Sequence, residues 1–224
     1  PKILLIGQIG AGKSSFFNSV KSIFRGHVTL QLFCSHLILS SLPFVLCDTM
    51  GLEQEKNDEG IHKDDIISVI KGHVPDLYEF NPKAPITRND RRYREDPSPA
   101  DKVHCVVYVV EADKITFMDQ NLLKKFKTIR SEVNKMGIPQ LVLVTKIDNI
   151  FQEVNEDLTK VYWSKCLHEK VSVLGDMLEV PDSDIFPVKN YSTETELDVN
   201  MDILLLGALQ QMMRTADACF VDMS

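Results

Sequence analysis

The first twenty residues, PKILLIGQIGAGKSSFFNSV (residues 1–20), decide the fold of this chain. Their apolar run over Ile3–Ile6 predicts a buried strand, and the pattern over Lys13–Phe24 predicts an apolar helix. Between the two lies GQIGAGKS (residues 7–14), which fits the pattern of glycine, any four residues, Gly-Lys and Ser or Thr. A strand, a glycine-rich turn and a helix in this order predict a loop that binds phosphate.

Each residue type in this turn has a chemical reason to be there. Glycines allow backbone conformations that turn successive N–H groups inward, and the start of the helix adds positive potential. Lys13 would neutralise the outer phosphates, and the Ser14 hydroxyl would bind Mg²⁺. A turn that only packs a helix on a strand would not explain the lysine-serine pair. We expect the site to be lined by Gly7, Gln8, Ile9, Gly10, Ala11, Gly12, Lys13, Ser14 and Ser15.

A second motif, FVLCDTMG (residues 44–51), ends another apolar strand in an aspartate. Asp48 would stand beside the phosphate loop and help to hold Mg²⁺ together with Ser14, and Gly51 could donate its N–H to the terminal phosphate. We therefore expect Lys13, Ser14, Asp48 and Gly51 to carry any catalysis. Leu52 stands where hydrolysing enzymes often have a glutamine that orients water, so slow turnover is predicted.

A third motif, LVLVTKID (residues 141–148), predicts recognition of a base. Asp148 could accept hydrogen bonds from N1–H and the 2-amino group of guanine, and the Lys146 stem could lie over the ring. Asp148 could alternatively be only a helix cap. Thr145 replaces the usual asparagine, which predicts a weaker link to the phosphate loop. In the loop over Val188–Ser192, Asn190 is a candidate for backbone contact with the base.

The order of the predicted elements indicates an α/β fold. Strands alternate with helices, which predicts a mostly parallel sheet with helices on both faces. The link Ser40-Ser41 is too short for a helical crossover, so one strand should be antiparallel. The six predicted strands are Ile3–Ile6, Leu30–Leu39, Pro43–Cys47, Val103–Val110, Leu141–Thr145 and Ile185–Val188; the predicted helices are Lys13–Phe24, Asp64–Ile70, Asn121–Met136, Lys160–Leu178 and Leu197–Ala216.

One long segment, Asn81–Lys102, interrupts this alternation. It contains four prolines and four arginines among acidic residues, and it is longer than ordinary connections. It could be a solvated loop or an insertion that binds a partner. We treat residues 1–224 as one domain with this irregular insertion.

Composition narrows the class of protein. The chain has 224 residues, 44% hydrophobic and 25% charged, which is typical of a globular domain. The net charge of −7 argues against non-specific binding to nucleic acid. Five cysteines without a CxxC pair favour buried free thiols and a reducing compartment. We expect no membrane-spanning segment and no secretory leader, and an abrupt start before the first strand favours an absent amino-terminal domain.

Together the three motifs resemble those of the Ras-like and dynamin-related GTPase superfamily. Longer runs, among them IGAGKSSFFNSVKSIFRGHVT (residues 9–29), LPFVLCDTMGL (residues 42–52) and NYSTETELD (residues 190–198), resemble the carboxy-terminal GTPase-like domain of the interferon-induced protein 44 and 44-like family. The resemblance implies a three-layer P-loop GTPase fold and a guanine nucleotide, GTP or GDP, bound with Mg²⁺. It also implies a cytoplasmic, interferon-inducible antiviral protein and a further amino-terminal domain.

Between the first helix and the next strand, the sequence departs from the GTPase pattern. Thr29 is the only threonine in GHVTLQLFCSHLILSS (residues 26–41), so this first switch segment is either shortened or incomplete. His27 and Gln54 are nearby polar residues that are more often solvated. Two functions follow: a GTP-dependent switch with weak hydrolysis, or a scaffold in which nucleotide is structural and a second copy or another protein binds. An ATPase is a third reading.

Overall fold

The computed structural model describes residues 1–29, 44–48, 51–52, 61–75, 78–81 and 84–223. Within these residues one sheet contains five strands, all parallel, in the order β2-β1-β3-β4-β5. The strands are nearly continuous runs of apolar residues because helices cover both faces of the sheet. They are β1 (Lys2–Gly7), β2 (Val45–Asp48), β3 (Cys105–Glu111), β4 (Gln140–Thr145) and β5 (Ile185–Pro187).

Two groups of helices pack around this sheet. The first and last helices contact each other and the strands, while three others contact one another as a second group. The core lies between the sheet and these helices, where most strand residues are fully buried. The helices are α1 (Lys13–Arg25), α2 (Lys63–Ile70), α3 (Gln120–Lys135), α4 (Gln152–Glu156), α5 (Lys165–Leu178) and α6 (Val199–Met223).

The sheet differs from the sequence prediction in strand number. The described residues form five parallel strands rather than six with one antiparallel, and β2 pairs in parallel with β1. Parallel pairing follows because α1 precedes β2, so the chain returns to the same edge before it enters the sheet again. The predicted antiparallel strand over residues 30–39 lies outside the described residues. The α/β class and the helical cover are as predicted.

Two helices have different ends from those predicted. Helix α5 begins at Lys165 instead of Lys160, because the Ser164 hydroxyl accepts a hydrogen bond from the Leu167 N–H and caps it. Helix α6 continues past Ala216 to Met223. The short helix α4 has too few residues to give a recognisable periodic pattern and was not predicted.

The irregular segment over residues 81–102 packs against α2 where the structure describes it. Asp65, on α2, accepts a hydrogen bond from the Ile86 N–H at 2.7 Å. The Tyr93 ring stacks on His73 with centroids 4.7 Å apart, and the Arg94 guanidinium donates to the Gly72 carbonyl at 2.8 Å. The described part of this segment is therefore irregular in backbone but anchored to the domain by specific contacts.

Parallel strands give the fold one functional edge. All five carboxyl ends lie along the same side of the sheet, and the loops that follow them converge there. Four of the loops carry residues that the sequence singles out: those after β1, β2, β4 and β5. The candidate site is built at this edge.

Candidate nucleotide-binding site

The glycine-rich loop joins β1 to α1 in a shape that depends on its glycines. Gly10 and Gly12 have φ angles of 79° and 90°, in the left-handed region that side chains disfavour. Gly12 is also the N-cap of α1. A Cβ atom on Gly7 would lie 2.4 Å from the Val109 carbonyl oxygen, so β1 and β3 approach closely at that point. The loop therefore leaves its backbone and the amino end of a helix open to an anion.

Lys13 is the charged group of this loop, and it is turned inward. Only 6% of the residue is exposed, and its Nζ donates hydrogen bonds to the carbonyls of Gly7 and Gln8 at 3.2 and 3.0 Å. Burial lowers the pKa of the Lys13 ammonium, and the charge of Asp48 partly opposes that shift. The loop holds a cation whose hydrogen-bond acceptors are neutral carbonyls, which suits a site that receives negative charge.

Ser14 and Asp48 meet at the first turn of α1. The Ser14 hydroxyl donates a hydrogen bond to the Asp48 carboxylate at the end of β2. A hydroxyl and a carboxylate are oxygen donors of the kind Mg²⁺ prefers, and Mg²⁺ usually completes its shell with water and phosphate oxygens. These two residues therefore fit the metal role predicted for them. Within the described ranges, no three His, Cys, Asp or Glu side chains come together as a metal site.

Gly51 packs directly on the phosphate loop. A Cβ atom there would lie 2.3 Å from Ile9 Cγ1 and 2.4 Å from the Ile9 nitrogen, so only glycine fits. The next residue, Leu52, donates its N–H to the Gly7 carbonyl at 2.9 Å, and its side chain is 1% exposed. The position that often holds a water-orienting glutamine is thus occupied by a core side chain in this protein.

Lys146 and Asp148 occupy the far side of the same edge, where the base was predicted. Lys146 adopts a left-handed backbone conformation with φ 57°, and its ammonium lies 2.9 Å from Glu111 at the end of β3. Asp148 lies 3.9 Å from the Lys189 ammonium, and its side chain is 20% exposed. The structure therefore brings the third motif and the loop after β5 together, as the sequence predicted.

Thr145 makes the link to the phosphate loop that its motif was expected to weaken. Its buried hydroxyl donates to the Ala11 carbonyl at 2.7 Å. A second link comes from the side chain of Asn190, whose Nδ2 donates to the Gly12 carbonyl at 3.2 Å. Asn190 was predicted from its sequence position as a backbone contact, so the contact of its side chain was not foreseen.

Two acidic residues at this edge were missed by the sequence reasoning. Glu111, which pairs with Lys146, ends β3 and could have been found, because carboxyl ends of parallel strands share one edge. Glu194 lies 3.1 Å from Lys189 and accepts the N–H groups of Ser192 and Thr193. Burial opposes the charge of Glu194, but these N–H donors and Lys189 lower its pKa to about 2.

Thr29, the threonine of the predicted first switch, lies away from Ser14. Its N–H donates to the Ser22 hydroxyl at 2.8 Å, and Ser22 is about 12 Å further along α1 than Ser14 at 1.5 Å per residue. Thr29 therefore packs on the helix rather than on the metal position. Gln54 and residues 30–41 of the predicted first switch segment lie outside the described residues.

Comparisons with known proteins show which proteins this chain is similar to. No family model matches the chain. It is 40% identical to human interferon-induced protein 44-like over 239 residues, which cover 99% of this chain and 53% of that protein. Identity to mouse interferon-induced protein 44 is 37%, covering 99% of this chain and 56% of that protein. The chain thus spans about half the length of these curated relatives.

One solved structure shows the same fold. It is described as a probable GTP-binding protein, engB, and it covers 94% of this chain and 99% of its own with a TM-score of 0.52 and 14% identity. That likeness is one of fold: both chains have the same arrangement of a β-sheet and surrounding helices. In the described part of the chain, no helix is long and apolar enough to cross a membrane. The predicted resemblance is confirmed: this chain is similar to the interferon-induced protein 44 and 44-like proteins along nearly all of its own length and about half of theirs.

Proposed function

We propose that this domain binds guanine nucleotides, as Mg-GTP and GDP, and that it hydrolyses GTP slowly or not at all on its own. The observation that carries the proposal is the arrangement around Lys13, whose ammonium is buried against the carbonyls of Gly7 and Gln8 at the amino end of α1. Loop amides, a helix end and a buried cation in one place favour a polyphosphate.

Mg²⁺ would be held by Ser14 and Asp48, and it would supply positive charge next to the outer phosphates. The two side chains already touch each other, so both oxygen donors are in place for a metal. Gly51 packs on Ile9 of the phosphate loop, and from there its N–H would bind the terminal phosphate.

Slow hydrolysis follows from Leu52. Its side chain lacks a hydrogen-bonding group and is buried in the core, so it neither holds nor faces an attacking water. Phosphate binding without water positioning gives charge stabilisation without an organised nucleophile. We therefore expect bound GTP to stay unhydrolysed for longer than in an enzyme that has the water-orienting glutamine.

Guanine preference would come from Asp148, with Lys146 and the loop after β5 around the base. A carboxylate accepts from two neighbouring donors on guanine, and adenine has no such pair at that edge. ATP should therefore compete poorly with guanine nucleotides for the site. Weak competition by ATP would exclude the ATPase alternative.

The test is nucleotide binding measured by calorimetry on the parental chain and on Lys13→Ala, with Mg-GTP, GDP and ATP. Binding of both guanine nucleotides, lost in the variant and weak for ATP, would support the proposal. Phosphate release is measured on the same samples. Absence of heat with all three nucleotides would refute the proposal.

A second candidate function is a scaffold in which nucleotide is a structural ligand. The outer side of α6 favours it, because Val199, Ile203 and Val221 are 72%, 62% and 66% exposed on a helix whose other side is buried. Tight retention of nucleotide without any phosphate release would favour this reading. The names of the relatives lead us to propose that the chain serves in an interferon-induced response. The resemblance seen in the sequence leads us to propose further that this response is antiviral and takes place in the cytoplasm.

A further inference from the structure

The loop after β5 reaches the phosphate loop through one side chain. Asn190 Nδ2 donates to the Gly12 carbonyl at 3.2 Å, across 178 positions of sequence. Gly12 directly precedes Lys13 and is the N-cap of α1. The contact is therefore made where the glycine-rich turn becomes a helix.

Thr145 makes a parallel contact one residue earlier. Its hydroxyl donates to the Ala11 carbonyl at 2.7 Å, so two side chains from two different loops hold two consecutive carbonyls. A Cβ atom on Gly12 would lie 3.0 Å from Asn190 Nδ2 and 3.3 Å from Thr145 Oγ1. Both donors thus pack on the same glycine.

These contacts, together with the Phe16 N–H that also donates to the Gly12 carbonyl at 2.8 Å, fix the direction of the amides that a phosphate would meet. In a planar trans peptide the carbonyl and the N–H point in opposite directions. Holding the Ala11 and Gly12 carbonyls toward Thr145 and Asn190 therefore turns the N–H groups of Gly12 and Lys13 the other way. Both N–H groups belong to the turn that would surround the phosphates.

The backbone that carries Asn190 is itself fixed. The Tyr191 N–H donates to the Ser19 hydroxyl at 2.9 Å, and that hydroxyl donates to the Ser15 carbonyl at 2.8 Å. The Tyr191 hydroxyl donates to Asp202 at 2.7 Å and accepts from the Asp198 N–H at 2.6 Å. A side chain on a fixed backbone loses little entropy when it forms a hydrogen bond.

We propose that Asn190 is a positioning residue for the phosphate loop. Together with Thr145 it does the work that a single asparagine does in an Asn-Lys-x-Asp motif. The asparagine that the third motif lacks is thus supplied by the loop after β5. This inference rests on the proposed function, because its consequence is slower release of a bound nucleotide.

The test follows the release of a fluorescent GDP derivative after an excess of GDP is added. Asn190→Ala should release it about fivefold faster, the loss expected for one net hydrogen bond. Asn190→Asp keeps the shape of the side chain but has no N–H to donate to the Gly12 carbonyl. This variant should therefore release the fluorescent GDP at least as fast as Asn190→Ala does. Asn200→Ala, an exposed asparagine on α6, is the matched control and should release at the parental rate.

A second substitution tests whether Asn190 acts through its hydrogen bond to the phosphate loop or through the stability of the fold. Adding Thr145→Asn to Asn190→Ala restores an asparagine in the third motif and should bring release to within about twofold of the parental rate. Fast release that persists in this double variant would overturn the inference. So would a parental rate in both Asn190 variants. A parental chain that binds no fluorescent GDP would instead refute the proposed function.

Discussion

The two halves of the candidate site are built in different ways. The phosphate half consists mainly of consecutive residues, Gly7–Ser15, whose backbone makes the shape, with one outside side chain at Asp48. The base half is assembled from separate loops after β3, β4 and β5, through contacts such as Lys146 with Glu111 and Lys189 with Asp148. The first half depends on local conformation, and the second depends on the fold.

This difference explains which half keeps the sequence pattern expected of a phosphate-binding loop. A loop made of backbone amides has few acceptable sequences, because each glycine meets a conformational or steric requirement. Side chains from separate loops can exchange roles as long as a donor reaches the same acceptor. In our proposal Thr145 and Asn190 share such a role, because they donate to neighbouring carbonyls of the loop, those of Ala11 and Gly12.

The largest expected effect is in the phosphate half. Lys13→Ala removes the ammonium from the centre of the loop and should weaken binding of GDP and GTP about 100-fold or more, since charge-assisted contacts to phosphate are the strongest in such a site. Calorimetry measures the change. The exposed Lys165→Ala is the control, and equal affinity for the parental chain and Lys13→Ala would contradict the role of the backbone half as a phosphate site.

Asp148→Asn tests the base half and should have the next largest effect. An amide cannot accept two hydrogen bonds from guanine as the carboxylate does, so GDP affinity should fall roughly tenfold or more. Xanthosine diphosphate should compete better than it does with the parental chain, because its ring offers an acceptor to the new donor. Competition against fluorescent GDP measures both changes.

If the affinities for xanthosine diphosphate and GDP keep an unchanged ratio, Asp148 would have only its contact with Lys189 and no role in reading the base. In that case the phosphate half alone would account for nucleotide binding, and the base half would not recognise the base.

The extent to which sequence predicts each half has the same physical origin. The pattern in residues 7–14 predicts the phosphate loop, because the strand, the turn and the helix are adjacent in the chain. A local pattern is therefore enough. The side-chain contact of Asn190 with Gly12 joins residues 178 positions apart, and no local pattern contains that distance. The burial of the Leu52 side chain is also a long-range feature, because the Leu52 N–H bonds to the carbonyl of Gly7, which is distant in the sequence.

Strand number was harder to predict than strand position. The described strands begin or end within two residues of their predicted limits, because apolar runs report burial directly. Whether a further apolar run pairs with the sheet depends on the space beside β2, which lies at one end of the described sheet. Sequence periodicity does not carry that information.

Ser14→Asn tests the metal position and should discriminate between nucleotides rather than abolish binding. The longer amide displaces the hydroxyl that meets Asp48, so Mg-dependent affinity for GTP should fall about tenfold more than affinity for GDP. The measurement is binding of both nucleotides with Mg²⁺ and with EDTA. Ser131→Ala, an exposed serine on α3, serves as the control and should change neither affinity. Equal losses for GTP and GDP in Ser14→Asn would argue against a metal ligand at Ser14.

The smallest effect concerns the acid stability of the base half. Glu194 has a folded-state pKa of about 2, below its ordinary value of 4.5, because three N–H groups and Lys189 outweigh its burial. A carboxyl whose pKa is lowered by folding stabilises the fold above about pH 4.5 and loses that contribution as the pH falls toward 2. Glu194→Gln should therefore lower the melting temperature by a few degrees at pH 6 and progressively less toward pH 3. Glu196→Gln, which changes an exposed acid in the same loop, is the control and should leave the curve of melting temperature against pH unchanged. Parallel curves for the parental chain and Glu194→Gln at all pH values would contradict the prediction. They would show that the loop is held by other contacts, chiefly those of Tyr191.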